Sequence, residues 1–224
     1  MGRRVEIAAI VWATLFAVSC GGGSSSDTGQ LRFVQASPSA PHVDMLIDGI
    51  TETSNMAYGN SSGYIRVKAG ARHLQAVPVN SSSPLLDLSV PITNSGHTTV
   101  LLTGPGSGVK SLVLTDGGTT SSTGNGYVRV VNASVSMGPA DVYIVAAGDG
   151  INGVTPAASN LALNQDGGYT LTPAGNYEVF MTSPGTKSIL LDTGPINLTA
   201  LQDWTLLALD GASGGFTFEL LDDQ

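Results

Sequence analysis

Apolar runs of five to seven residues recur along the chain from about residue 31, each closed by Gly, Asn, Asp or Ser. Segments 98–103, 109–115, 178–182 and 205–209 are good examples. In one of them Ile65, Val67 and Ala69 alternate with Tyr64, Arg66 and Lys68, the period-two pattern of a half-buried strand. Beyond the leader, no stretch of about a dozen residues carries a helical period. Short strands at this spacing, with turn residues between them, predict an all-β chain built as β-sandwiches of immunoglobulin-like size. The Cys-Trp-Cys hallmark of true immunoglobulin domains is absent.

The strand pattern occurs twice. Leu31-Arg32-Phe33-Val34-Gln35-Ala36-Ser37 matches Val128-Arg129-Val130-Val131-Asn132-Ala133-Ser134 at an offset of 97 residues, and Asp44 matches Asp141 at the same offset. Further on the offset becomes 105: Tyr64 and Ala69-Gly70 match Tyr169 and Ala174-Gly175, Leu85-Leu86-Asp87 matches Leu190-Leu191-Asp192, and Leu101-Leu102 matches Leu206-Leu207. The extra eight residues are expected in the Gly- and Asn-rich segment 147–158. The predicted organisation is a first β-sandwich at 31–117, a linker at 118–126 and a second β-sandwich at 127–224.

What precedes residue 31 has another character. Met1 to Arg4 are basic, and 7–18 form an apolar stretch of 12 residues broken only by Thr14. As a helix this covers roughly 18 Å, short of the ~30 Å hydrocarbon core, so it reads as a signal peptide over 1–19. It ends in Ala17-Val18-Ser19-Cys20, and Cys20 is the only cysteine of the chain. Small residues before such a cysteine resemble the lipobox of bacterial lipoprotein precursors, with Ala17 where the commonest pattern has leucine. The resemblance implies cleavage before Cys20, lipidation of its thiol and acylation of the new amine. With Gly21 next, it implies the outer membrane in a Gram-negative cell. Segment 20–30 is then a lipidated cysteine on a Gly/Ser-rich tether. Several acyl chains, at ~0.8 kcal/mol per buried CH₂, hold a protein on a bilayer firmly.

The run from Arg32 to Gly49, followed by Tyr64 and Ala69-Gly70, resembles domain-of-unknown-function family 4397. The second copy keeps Arg129, Asn132-Ala133-Ser134, Asp141 and Ala174-Gly175, with Val135 in place of Pro38. The resemblance spans nearly the whole exported part. It implies a β-sandwich and an envelope location, and it implies no activity.

Composition narrows the chemistry. Only 12% of residues are charged, against about 25% in an ordinary soluble domain. Without Arg3, Arg4 and Glu6 the exported part has 7 basic and 16 acidic residues, a net of −9. No basic stripe runs along the sequence, which argues against nucleic acid as a partner and against electrostatic binding to anionic lipid. One cysteine allows neither an intrachain disulfide nor a thiolate metal site.

Arg32 with Asp44, and Arg129 with Asp141, are the most conspicuous polar residues in otherwise apolar strands. Two roles are open to them: a ligand-gripping pair in each copy, or an ion pair or carboxylate–backbone bonds that fix adjacent strands. Retention of both at the same spacing favours the structural role. The Asp-Gly pairs at 48, 116, 149 and 210 read as turns, since no segment has the spacing of a calcium loop. His42, His73 and His97 are isolated along the chain, so no metal and no cofactor is assigned. No Gly-x-Ser-x-Gly elbow is present and nothing singles out a carboxylate pair, so no catalytic residue is assigned. Trp204 and the six tyrosines are the candidates for stacking on sugars, with Trp204 more at home in a core beside Leu206, Leu207 and Leu209. The expectation is a non-enzymatic, lipid-anchored binding, adhesion or scaffold module, its partners the membrane through Cys20 and a glycan or envelope protein. A carbohydrate-binding module is the first alternative and a hydrolase the second.

Overall fold

The computed structural model describes residues 27–117 and 123–224. The leader, Cys20, most of the tether and the middle of the linker lie outside the described residues. The first half forms eight strands: β1 (Thr28–Gln35), β2 (Val43–Ile47), β3 (Ile50–Met56), β4 (Ser61–Lys68), β5 (Gly70–Pro78), β6 (Leu86–Ile92), β7 (His97–Thr103) and β8 (Lys110–Asp116). The second half forms nine: β9 (Asn125–Asn132), β10 (Ala140–Ala146), β11 (Ala158–Leu161), β12 (Gln165–Pro173), β13 (Gly175–Thr182), β14 (Ile189–Asp192), β15 (Ile196–Leu198), β16 (Asp203–Asp210) and β17 (Phe216–Asp222). No α-helix occurs among the described residues. Each half is a sandwich of two sheets. In the first, β4-β1-β7-β8 packs on β3-β2-β5-β6; in the second, β12-β9-β16-β17 packs on β11-β10-β13-β14, with β15 also paired to β13.

The two halves repeat each other in register. β1 runs parallel to β7 and antiparallel to β4, as β9 does to β16 and β12. The chain switches sheets at Ala69 and at Ala174, where their N–H groups donate to Asp27 and Gly124 carbonyls at 2.9 Å. That corner is what the shared Ala-Gly pair builds. At its start each β1-type strand carries a glycine with no room for a side chain: a Cβ on Gly29 would lie 2.4 Å from the Thr93 oxygen, and one on Gly126 2.5 Å from the Gln202 oxygen.

The eight-residue insertion falls where the sequence places it. A two-residue turn, Asp48-Gly49, joins β2 to β3, whereas 147–157 join β10 to β11. Both turn residues have positive φ, 51° and 81°, as a type I′ hairpin requires. The later alignment needs correction. Leu101 lies opposite Val34 and Leu207 opposite Val131, so Leu101 matches Leu207 and not Leu206. The second copy has gained one residue at 193–195, which splits the counterpart of β6 into β14 and β15. A one-residue slip moves every side chain to the other face, so the correction decides which leucines face what.

Leu31, Phe33, Val43, Met45, Leu74, Val100 and Leu102 belong to the first sandwich core, and Val128, Val130, Val142, Val179, Met181, Leu206 and Ala208 to the second. A further cluster lies between the sandwiches. Val34, Ala36, Leu101 and Leu114 of the first meet Val131, Ala133, Leu207, Leu209 and Leu221 of the second. The sheets β4-β1-β7-β8 and β12-β9-β16-β17 therefore pack face to face, and the molecule has four layers. The two inner sheets are covered on both faces, which is why β1 and β9 share the burial of five consecutive residues.

Candidate functional site

The most deeply buried charged cluster of the central sheets, among the described residues, sits on the faces they turn toward each other. Along β1 the side chains of Leu31 and Phe33 enter the first core, so Arg32 between them points at the second sandwich. The same alternation turns Arg129 toward the first. Each guanidinium crosses the interface. Arg32 Nη2 donates to Asp223 Oδ1 at 2.5 Å and Nη1 to the Asp222 carbonyl at 2.6 Å. Arg129 Nη2 donates to Asp116 Oδ1 at 2.5 Å and Nη1 to the Thr115 carbonyl at 3.1 Å. The longer pairs, Arg32 to Asp116 at 3.7 Å and Arg129 to Asp223 at 3.6 Å, close a ring of two cations and two anions with no net charge. Side-chain exposure is at most 4% for these residues.

The surroundings are also duplicated. Thr99 Oγ1 accepts from Arg32 Nε at 2.9 Å and donates to Asp116. Thr205 Oγ1 accepts from Arg129 Nε at 2.9 Å and donates to Asp223 at 2.5 Å. Tyr64 lays its ring 4.5 Å from the Arg32 guanidinium and donates its hydroxyl to Asp116 at 2.8 Å. Tyr169 does the same for Arg129 and Asp223, at 4.5 and 2.7 Å. Burial pushes the pKa of both tyrosines up, so they stay protonated donors. Burial raises Asp223 as well, against the hydroxyls of Thr205 and Tyr169. For Arg129, burial opposes the charge, but Tyr169, Asp116 and Asp223 hold its pKa above the usual value. Every charged group here has a charged and a neutral partner, the condition under which buried charge is tolerated.

The pairing inferred from sequence is corrected here. Arg32 does not meet Asp44, nor Arg129 Asp141. Asp44 Oδ1 instead accepts from the Asn55 N–H at 2.8 Å, and Asp141 accepts from the Asn160 and Gly185 N–H groups at 2.8 and 2.7 Å. Asn55 and Asn160 hold φ of 56° and 55°, so each aspartate fixes a left-handed residue on the neighbouring strand. The arginines' partners are 191 and 13 residues away, across the interface. Asp116, read as a turn residue, is 3% exposed in the ring, and nothing in the sequence singled out Asp223. Asp210, another turn reading, takes hydrogen bonds from Ser134, Val135 and Ser136, and its backbone N–H donates to Tyr58 Oη across the interface at 2.8 Å. Burial at that contact pushes Tyr58 up to about 12.

Trp204 packs against the second core, with Nε1 buried and without a hydrogen-bond partner. Tyr143 is buried, and no Trp, Tyr or Phe among the described residues is exposed. His42 contacts Asn55, His73 contacts Asp87, and His97 contacts Gln30 and the Tyr64 ring, so the three histidines keep separate partners. Among the described residues, no three His, Cys, Asp or Glu side chains gather as a metal site would need.

No curated protein matches the chain. Among solved structures, one match is a family 26 carbohydrate-binding module of Eubacterium rectale Amy13K in complex with maltoheptaose. It is 10% identical over 88% of this chain and 97% of that one, with a TM-score of 0.25. The family model described as "Domain of unknown function (DUF4397)" matches residues 29–143 and 127–224, so that between them the two matches take in both sandwiches. The chain belongs to the DUF4397 family, in which it carries the domain twice.

Proposed function

We propose that this protein is a non-enzymatic scaffold of the bacterial cell envelope, lipid-anchored through Cys20, that displays the loops of two fused β-sandwiches in one fixed arrangement. The observation that carries the reading is the interface. Two domains that served independently would be joined by a polar, exchangeable contact. Here an apolar cluster seals a charge-neutral ring whose arginines each need the other domain's aspartate. Such a joint fixes the relative position of everything the outer sheets and loops present, and loops on a rigid frame are where binding is usually placed. In a Gram-negative host the anchor leaflet is that of the outer membrane. Sugar binding on a stacking platform would need exposed rings, and the aromatic side chains described above are spent on cores and on the ring.

Two measurements test this. Growth with a clickable fatty-acid analogue should label the wild-type chain and leave Cys20→Ala unlabelled; equal labelling would remove the anchor. Purified 27–224 should show no specific binding on a glycan array, and a reproducible hit there would favour the carbohydrate-binding reading.

A further inference from the structure

Seven basic residues follow the leader, and the ring consumes two of them. Three of the remaining five, Arg66, Lys68 and Arg72, line one open groove of the first sandwich, between the edge strands β3 and β4. The three lie within seven residues of sequence, 66–72, and the step from β4 into β5 carries Arg72 to the other sheet with all three still on the same groove. This local cluster departs from the expectation, drawn from the absence of a basic stripe, that anionic lipid is not bound electrostatically. Arg66 and Lys68 are exposed, with no ion pair among the described residues. Arg72 is held by Asp48 at 3.0 Å, and its Nε has no hydrogen-bond partner. Glu52 also borders the groove, so its own charge is +1 in a molecule that is otherwise strongly acidic. Ile50, 64% exposed, stands at its rim.

The second copy provides an internal comparison. By strand register Arg66 matches Leu171, Lys68 matches Pro173 and Arg72 matches Tyr177. The cations are thus no requirement of the shared scaffold, unlike Arg32 and Arg129. Their place relative to the tether is equally specific. Thr28 pairs with Lys68 and Gln30 with Arg66, so the chain enters the fold directly beside the groove. Only eight chain steps lead from Cys20 to Thr28. They span about 28 Å at full stretch and about 16 Å on average for a Gly/Ser-rich coil. The average is on the order of two Debye lengths at physiological salt.

We propose that Arg66, Lys68 and Arg72 bind lipid headgroup phosphates and seat the first sandwich, groove down, on the anionic leaflet that holds Cys20. The proposal rests on the lipoprotein reading. The tether keeps the groove close to the surface, and the acidic remainder of the molecule is repelled from it, so the field orients the protein. Ile50 enters the headgroup boundary as an apolar contact. Each cation near an anionic surface strengthens binding about fivefold.

The test uses the acylated full chain on vesicles of pure phosphatidylcholine and of phosphatidylcholine with phosphatidylglycerol. The readout is reaction of each lysine amine with an acylating reagent, followed by mass spectrometry. Lys68 should react about tenfold more slowly on the anionic vesicles. Lys110 and Lys187 should be unchanged, and 0.5 M salt should abolish the difference. Arg66→Glu, at an exposed position without an ion pair among the described residues, should restore fast labelling of Lys68 while leaving the melting temperature in place. Equal labelling of Lys68 on both vesicles overturns the groove contact and leaves the anchor standing. Equal protection by inorganic phosphate on neutral vesicles shows a soluble-anion site and overturns the membrane seat. A purified chain whose mass shows no acyl groups overturns the anchor itself.

Discussion

Glu219 stands where the first copy has Leu112: the two face Leu207 and Leu101 in matching registers. Leu112 packs on the apolar cluster between the sandwiches, whereas Glu219 brings a carboxyl to that boundary and leaves Oε2 buried without a hydrogen-bond partner. Burial pushes its pKa up to about 7, against the attraction of Arg32. The folded pKa lies above the unfolded value near 4.5, so the unfolded chain releases this proton first. The stability associated with the protonated form is complete below that unfolded value and is lost as pH rises toward and through 7. Discounted for partial exposure, the loss is about 1–2 kcal/mol. Glu219→Gln is therefore expected to match wild type at pH 5 and to melt higher at pH 8. Asp223 is raised too, but it titrates in both proteins and leaves the difference between their melting temperatures. A gap that stays constant from pH 5 to 8 would contradict this assignment.

At the scale of elements, the two aspartates that the sequence paired with the arginines do different amounts of work. Asp44 is half-buried and takes one backbone N–H; Asp141 is 5% exposed and takes two, from the strand after the insertion and from the turn at Gly185. Removing a buried acceptor strands its donors at about 1–3 kcal/mol, and an exposed one is replaced by water. Asp141→Ala should cost about 2–3 kcal/mol in chemical denaturation and Asp44→Ala under about 1. Equal costs would mean that the second contact of Asp141 contributes nothing. Much of the element plan was legible: strand positions, the duplication and the eight-residue insertion all follow from turn residues and repeated motifs. The four-layer arrangement was not drawn from them, although a sign of it was present. Val128 to Val131 and Leu206 to Leu209 are nearly continuous apolar runs, unlike the alternation at 64–69, and continuity in a strand means both faces are covered. The ring partners carried no such signal. Asp116 precedes a glycine and looks like a turn, and Asp223 follows an acidic neighbour near the end of a strand. Proximity across an interface leaves no mark in local spacing.

For the whole molecule, the ring makes the two sandwiches one folding problem. Read within the first domain alone, loss of Arg32 would cost ~2–4 kcal/mol there. The structure puts the cost on both domains, because Arg32→Ala leaves Asp116 and Asp223 sharing Arg129 in a site sealed from water. Breaking a buried pair from one side typically costs ~3–5 kcal/mol. Arg129→Ala leaves the mirror-image imbalance and should cost a similar amount, and wild type and both variants are each expected to melt in a single transition. Double mutation to Arg32→Ala with Asp223→Ala should then be less damaging than the sum of the singles by at least about 1 kcal/mol, since the second change removes the charge the first has stranded. Replacing all four charged residues with Met and Leu separates stability from specificity. A well-filled apolar patch is often as stable as the ion pairs it replaces. What the ring supplies is a directional demand, added to the Tyr58–Asp210 hydrogen bonds, that each arginine find the other domain's aspartate, which apolar side chains cannot impose. The quadruple variant is expected to stay folded and to lose its single domain arrangement, seen as multiple or broadened amide resonances for β1, β7, β9 and β16. One sharp set of resonances would show that the apolar cluster and the Tyr58–Asp210 hydrogen bonds fix how the sandwiches meet without the ring.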